Sequence, residues 1–323
     1  MITLKQRHRS RAIPGAIPGA VSGAIPGAPA VAATDDGSIV GGVRISNPKR
    51  VIDTTSGTTK LDLVRYYESV APHLLPHLLG RAVALVRGPA GIGGQLFFQK
   101  HDDKRAPDAA VQVVSVKALL QGAQLNVIEF HTGNARPATS HKPDRVMFDL
   151  DPGEGVAWPQ VQEAAQLVRT LLEQLELKAW LKTSGGRGVH LAVPIAARWH
   201  VDAVKAFAKA VVDHLALTIP ERFVAKSGAT NRVGRIFVDY LRNGADATTA
   251  AAYSARARPG LGVSMPMPWD DLAGLRSGAH FTVANAVEHL SYQSEDPWAA
   301  YARSHQSLSA PIKNLGLNSS ALA

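Results

Sequence analysis

The stretch "RVMFDLDPGEG", residues 145–155, sets two carboxylates, Asp149 and Asp151, two residues apart at the end of an apolar run. Side chains alternate along a strand, so both acids share one face while Phe148 and Leu150 take the other. Two half-buried anions that close repel each other unless a cation lies between them. A third acid, Asp239 in "RIFVDYL", sits on a similar strand, on the face shared by Phe237 and Leu241. Three carboxylates on two strands suit a pair of hard divalent cations bound through oxygen. Such a pair can drive an in-line displacement at phosphorus. An isolated Asp-x-Asp is most often a solvated strand end, so companions must decide.

The companions stand in "LKTSGGRGVHLAVPI". Two strand candidates flank a turn whose Gly185, Gly186 and Gly188 allow backbone N–H groups to crowd towards an anion. Arg187 brings a guanidinium fork, Ser184 a hydroxyl, and His190 projects one strand step beyond. The bland reading is a hairpin with a surface arginine. Acids for metal beside a cationic turn for phosphates describe a nucleoside triphosphate site. It is not a Walker A loop, since GxxxxGK[ST] is absent from the sequence.

These residues need a scaffold. "TKLDLVRYYESVAPHLLPHL" has helical spacing at Leu61, Val64, Tyr67 and Val70, with Thr59 as N-cap. "RAVALVRG", "QLFFQKH", "LNVIEFHTGNA", "KAWLKTS", "VHLAVPI" and "GRIFVDYLRN" read as strands. "VSVKALLQGAQ", "WPQVQEAAQLVRTLLEQLEL", "HVDAVKAFAKAVVDHLALTIP", "AVEHLSYQ" and "DPWAAYARSHQ" read as helices. Interleaved elements of both kinds predict an α/β or α+β chain with a mixed sheet.

Composition narrows the partners. In 323 residues the net charge is +9, which favours a polyanion such as nucleic acid. There is no cysteine, which excludes disulfides and thiolate metal sites, and no apolar run near membrane-spanning length. The opening "MITLKQRHRSR" and the repeating "IPGAIPGAVSGAIPGA" predict a basic, disordered tail over residues 1–38. A globular domain is expected over residues 39–310 and a flexible tail over residues 311–323.

"FDLDPGEGVAW", "KTSGGRGVHLAVP" and "FVDYLRN...AAYSARARPG" stand in the order and spacing of the polymerase domain of bacterial DNA ligase D. "NPKRVID", "GPAGIGGQLFFQKH" and "IEFHTGNA" extend the resemblance from about residue 44 to about residue 306. That domain belongs to the archaeo-eukaryotic primase superfamily. The resemblance implies a primase-polymerase fold with mixed, largely antiparallel sheets flanked by helices. It implies two ions of manganese or magnesium on Asp149, Asp151 and Asp239. Ser184, Arg187, His190, His131 and Arg256 resemble contacts of the incoming nucleotide. Asn47, Arg50 and Lys60 fall where the family grips the 5′-phosphate at a DNA break, and Lys60, a cation at a helix start, is better placed beside a phosphate than alone. Phe97 and Phe98 match a position that stacks on template bases, although alternation along a strand would bury at least one of them. Arg232, Arg242 and Arg258 match basic positions contacting DNA.

Two departures qualify the likeness. Gly133 stands in "HTGNA" where a bulky aromatic residue is expected, and no Lys-x-Asp-Gly adenylation motif occurs. The expectation is a lone polymerase, or one portion of a larger ligase, acting in bacterial end joining in the cytoplasm, at the nucleoid. It would take NTPs or dNTPs and DNA ends with a 5′-phosphate, with Ku and a DNA ligase as partners and no membrane. A replicative-type primase and a non-catalytic end-binding module are the rivals.

Overall fold

The computed structural model describes residues 38–102 and 109–317. The expected N-terminal tail falls outside these residues, apart from Ser38. Along the chain run β1 (Ser38–Val40), β2 (Val43–Ile45), α1 (Lys60–Leu78), β3 (Val83–Arg87), β4 (Phe97–Gln99) and α2 (Val116–Gln124). Then follow β5 (Val127–Thr132), β6 (Arg145–Pro152), α3 (Trp158–Gln174), β7 (Trp180–Thr183), β8 (Val189–Pro194) and α4 (Val201–Thr218). The rest comprises β9 (Phe223–Val224), β10 (Ile236–Asp239), β11 (Thr249–Ala250), β12 (Pro266–Met267), α5 (Ala286–Tyr292) and α6 (Ser309–Asn314).

A six-stranded sheet has the order β12-β7-β8-β6-β10-β9, and a four-stranded sheet has the order β11-β5-β3-β4. Every pairing in both is antiparallel except that of β9 with β10. The expected mixed, largely antiparallel architecture is therefore present. Helix α1 begins with a capping box: Asp62 N donates to Thr59 Oγ1 at 3.3 Å, and Thr59 N donates back to Asp62 Oδ2 at 2.9 Å. Its Leu63, Val64, Tyr67, Val70 and Leu74 are buried. Each such large side chain contributes roughly 1.5–3 kcal/mol. One apolar core runs under both sheets and all three long helices.

The register matters more than the outline. Lys182 on β7 pairs with His190 on β8, His190 with Asp149 on β6, and Asp149 with Asp239 on β10. One transverse row of the sheet thus carries four ionisable residues. Neighbouring strands lie about 4.8 Å apart, so side chains at matched register are in contact.

The structure corrects four expectations. The strand expected through "GRIFVDYLRN" stops at Asp239, and residues Tyr240–Asn243 form a 3-10 turn. The Asp239 carboxylate accepts from Leu241 N at 2.9 Å and bends the chain there, so Leu241 does not share its strand face. "DPWAAYARSHQ" yields only a 3-10 turn at Tyr301–Arg303. Phe97 and Phe98 are both exposed, at 47% and 54%, because β4 is a three-residue edge strand. Finally, α6 buries Pro311 and Ile312, so ordered packing continues past residue 310.

Candidate active site

Asp149, Asp151 and Asp239 meet: oxygen atoms of all three lie within 4.8 Å of one another. Strand β6 delivers the first two and its ladder with β10 sets Asp239 directly opposite Asp149. Here the cations are guanidinium groups. Arg242 Nε lies 3.4 Å from Asp149 Oδ2 and 3.0 Å from Asp239 Oδ2, while Arg232 Nη1 lies 3.2 Å from Asp151 Oδ2. Burial works to raise the Asp149 pKa, but donation from His190 and the nearby Arg242 and Arg256 charges outweigh it and hold the acid below the ordinary range. Asp151 and Asp239 are raised, by burial and by the Asp149 charge. These three carboxylates are hard oxygen donors of the kind that magnesium and manganese bind. Arg242 Nε is buried without a hydrogen-bond partner, so the guanidinium neutralises the acids without satisfying them.

Behind the acids lies a residue whose role is not legible from sequence motifs. Lys182 is buried on β7 and its Nζ lies 2.5 Å from His190 Nδ1, 2.6 Å from Ser264 Oγ and 3.0 Å from Ala250 O. Burial, reinforced by Arg256, pushes its pKa well below the ordinary value. Burial and Lys182 together bring His190 down to about 4, so the ring is neutral near pH 7. A neutral ring that accepts at Nδ1 carries its proton on Nε2, which lies 3.2 Å from Asp149 Oδ1. Lys182 thereby selects the tautomer that points a donor into the site. A lysine in the otherwise apolar run "AWLKT" was the available signal.

The turn between β7 and β8 is built around Ser184. Its hydroxyl accepts from Gly186 N at 3.1 Å and Gly188 N at 3.2 Å. Those two amides close the turn on itself rather than lying open for an anion, as the glycine spacing had suggested. Glycine is required at 188 for a different reason: a Cβ there would lie 1.8 Å from Leu150 O. Anion recognition falls to side chains instead. A cleft of about 190 Å³ is lined by Asp149, Asp151, Ser184, Arg187, His190, Arg232, Arg242, Arg256 and Arg258, together with Pro152 and Gly186.

His131 stands behind this wall. Its Nε2 lies 2.5 Å from Glu129 Oε2, which also accepts from Arg256 Nε at 2.8 Å. Glu129 Oε1 accepts from Ala257 N at 2.7 Å, and Arg256 Nη1 donates to Ser184 O at 2.6 Å. Burial opposes ionisation of Glu129, yet His131 and Arg256 bring its pKa down to about 2. Glu129, two residues before His131 on the same strand face, was missed in the sequence although strand alternation places it there.

A second cationic locus forms at the start of α1. Lys60 N donates to Arg50 O at 2.8 Å, which brings the two residues together, and Asn47 is exposed in the turn before Pro48 with φ +50°. Lys60 is buried, its Nζ 3.4 Å from Ser46 Oγ, and burial and Arg50 lower its pKa to about 8. Arg50 bonds Pro89 O and Asn126 Oδ1, and its Nε is buried without a partner. On β4 the Phe98 ring lies 6.1 Å from that of His131, edge-on.

Three clustered carboxylates that could take a hard cation, beside a guanidinium-lined cleft on a largely antiparallel mixed sheet, fit a nucleotidyltransferase site of the polymerase type. The family model for the LigD primase-polymerase domain matches residues 59–298. The chain belongs to that family. It is 46% identical over 287 residues to the multifunctional non-homologous end joining protein LigD of Pseudomonas aeruginosa, covering 84% of this chain and 34% of that protein. The LigD of Mycolicibacterium smegmatis is 34% identical over 252 residues, covering 72% and 32%. The chain therefore spans about a third of the length of these relatives. Among solved structures, the polymerase domain of Mycobacterium tuberculosis ligase D in complex with DNA superposes with a TM-score of 0.71 at 29% identity, covering 78% of this chain and 96% of that one.

Proposed function

We propose that this chain extends 3′ ends and fills gaps at broken DNA duplexes in bacterial non-homologous end joining. The observation that carries the reading is the cleft in which Asp149 and Asp151, with Asp239 clustered beside them, face five arginines and His190. Asp149, Asp151 and Asp239 would hold two magnesium or manganese ions. When bound, such ions neutralise charge on the reacting phosphate and favour the attacking hydroxyl as alkoxide. The chain's own residues bind and orient. Arg187 and Arg256 take the triphosphate through charge-assisted bonds, joined by Arg258, which the resemblance assigned to DNA but which lines the same cleft, and His190 offers the Nε2 proton that Lys182 has fixed in place. No side chain is needed as general base.

The second locus supports recognition of an end. A divalent 5′-phosphate would satisfy the orphaned Arg50 Nε and the buried Lys60 ammonium, with Asn47 beside them. Exposed Phe97 and Phe98 suit stacking on unpaired template bases. Arg232 and Arg242 pass from the acids to the DNA backbone as ions and substrate enter. Ku and a DNA ligase are the partners this role requires, at the bacterial nucleoid in the cytoplasm, with ribonucleotides preferred.

Primer extension on a gapped duplex carrying a downstream 5′-phosphate, with rNTPs or dNTPs and manganese or magnesium, tests the reading. Addition of one or a few nucleotides, faster with rNTPs and dependent on the primer, is expected. Chain initiation without a primer would favour the primase alternative instead.

A further inference from the structure

Arg256 and Arg258 sit on a turn, residues 256–260, that is anchored from both sides by buried carboxylates. Glu129 takes one end, through Arg256 Nε and Ala257 N. The other end belongs to Asp53, far away in sequence. Asp53 is 1% exposed, and its Oδ2 accepts from Gly260 N at 2.8 Å. The same carboxylate accepts from Thr55 N at 3.0 Å, Ser56 N at 3.2 Å and Ser56 Oγ at 2.6 Å. Burial would raise its pKa, but these donors, the Ser56 side chain foremost, bring it below the ordinary value, so the group is ionised near neutral pH.

Asp53 is also part of the loop between Arg50 and Lys60. That loop closes on itself: Ile52 N donates to Thr58 O at 2.8 Å, Lys60 N donates to Arg50 O at 2.8 Å, and Val51 bridges Thr59. Its tip therefore moves with the two cations. Gly260, at φ +86°, lies in a turn closed by Leu261 N donating to Arg258 O at 2.8 Å, so the amide that Asp53 holds and Arg258 belong to one hydrogen-bonded turn. Loops carrying guanidinium groups lose conformational freedom when a triphosphate binds, and an anchor that already holds them reduces that loss.

We propose that Asp53 is a positioning residue that couples the two anion sites. A DNA end held at Arg50 and Lys60 steadies residues 50–60, and through Asp53 steadies the turn that presents Arg256 and Arg258 to the incoming nucleotide. The inference rests on the 5′-phosphate reading of Arg50 and Lys60.

The test uses two gapped duplexes that differ only in a downstream 5′-phosphate or hydroxyl. Two ratios are measured: DNA Kd, and the nucleotide KM at saturating DNA. In the wild type the phosphate should tighten DNA and also lower the nucleotide KM, by about fivefold or more. Asp53→Ala should keep the Kd ratio and lose the KM ratio. Asp53→Asn should restore much of it, since its amide oxygen can still accept from Gly260 N and Ser56. Hydrogen exchange on the wild type provides a readout that needs no variant. Amides of residues 256–261 should exchange more slowly with the phosphorylated duplex than with the hydroxyl one. A wild-type Kd ratio without any KM ratio, or an unchanged KM ratio in folded Asp53→Ala, overturns the coupling and leaves end recognition standing. Equal Kd for both duplexes overturns end recognition, and the coupling with it.

Discussion

Asp149 and Asp239 face each other directly across the β6–β10 ladder, like charges in a position that normally destabilises a sheet. The fold tolerates the pair because Arg242 reaches both carboxylates from the turn that Asp239 itself starts. A divalent cation placed between the two carboxylates would relieve the same repulsion.

Asp149→Ala and Asp239→Ala should therefore each lower primer extension by at least about 10³-fold, the scale of several kcal/mol of lost charge stabilisation. DNA affinity, read by fluorescence anisotropy, should stay within about threefold of wild type, since these acids face phosphate and metal. Retention of a tenth of wild-type extension by Asp149→Ala would remove it from the metal set. Melting temperature should hold in Asp239→Ala, whose raised pKa marks net repulsion, but should fall in Asp149→Ala, which gives up the His190 and Arg242 contacts that keep its acid ionised.

Lys182→Met keeps the volume and removes the donor to His190 Nδ1. The freed imidazole can adopt the other tautomer or rotate, so kcat/KM for nucleotide should drop about tenfold or more. Adding His190→Ala to Lys182→Met should cost little beyond His190→Ala alone, because both delete one donor. Independent, multiplicative losses in this double-mutant cycle would show that Lys182 acts elsewhere.

The lowered Lys60 pKa, about 8, gives two pH dependences of opposite sense. Binding of a 5′-phosphate needs the ammonium. The preference for phosphorylated over hydroxyl ends should be level below pH 8 and then weaken by up to about tenfold per pH unit. Stability of the DNA-free protein moves the other way. The folded pKa lies below the ordinary 10.5, so between about 8 and 10.5 the unfolded chain binds more protons and this lysine's contribution to stability rises with pH. Lys60→Met should flatten both profiles, measured by anisotropy titrations and by urea melts.

Gly188→Ala should destabilise the protein by at least about 3 kcal/mol, since the added methyl would meet a backbone oxygen of β6 rather than a movable side chain. Gly155→Ala, with open space around its would-be Cβ, should cost about 1 kcal/mol or less and only through its positive φ. Chemical denaturation of the two variants distinguishes a packing requirement from a conformational one.

The amino-acid sequence by itself determined the long elements and the chemistry. Period-3.6 and period-2 patterning is local, so α1, α3, α4 and strands β3, β5, β6, β7 and β8 lie where the patterning sets them, whereas the Asp-x-Asp at the end of β6 becomes a cluster only because β10 brings Asp239 opposite Asp149. Ser184, Arg187 and His190 flank the glycine-rich turn that the sequence marks, and they line the cleft; Arg256, singled out only by the family resemblance, lines it too. Tertiary structure alone decided the rest. Alternation could not tell that both phenylalanines of β4 stay exposed, because that depends on the strand lying at a sheet edge. Glycine spacing could not tell that Ser184 would occupy the turn's amides. Above all, sheet register lines up Lys182, His190, Asp149 and Asp239, and a loop closure brings Asp53 to Gly260. Pairing between strands and loops distant in the chain is set by global packing, and no local pattern encodes it.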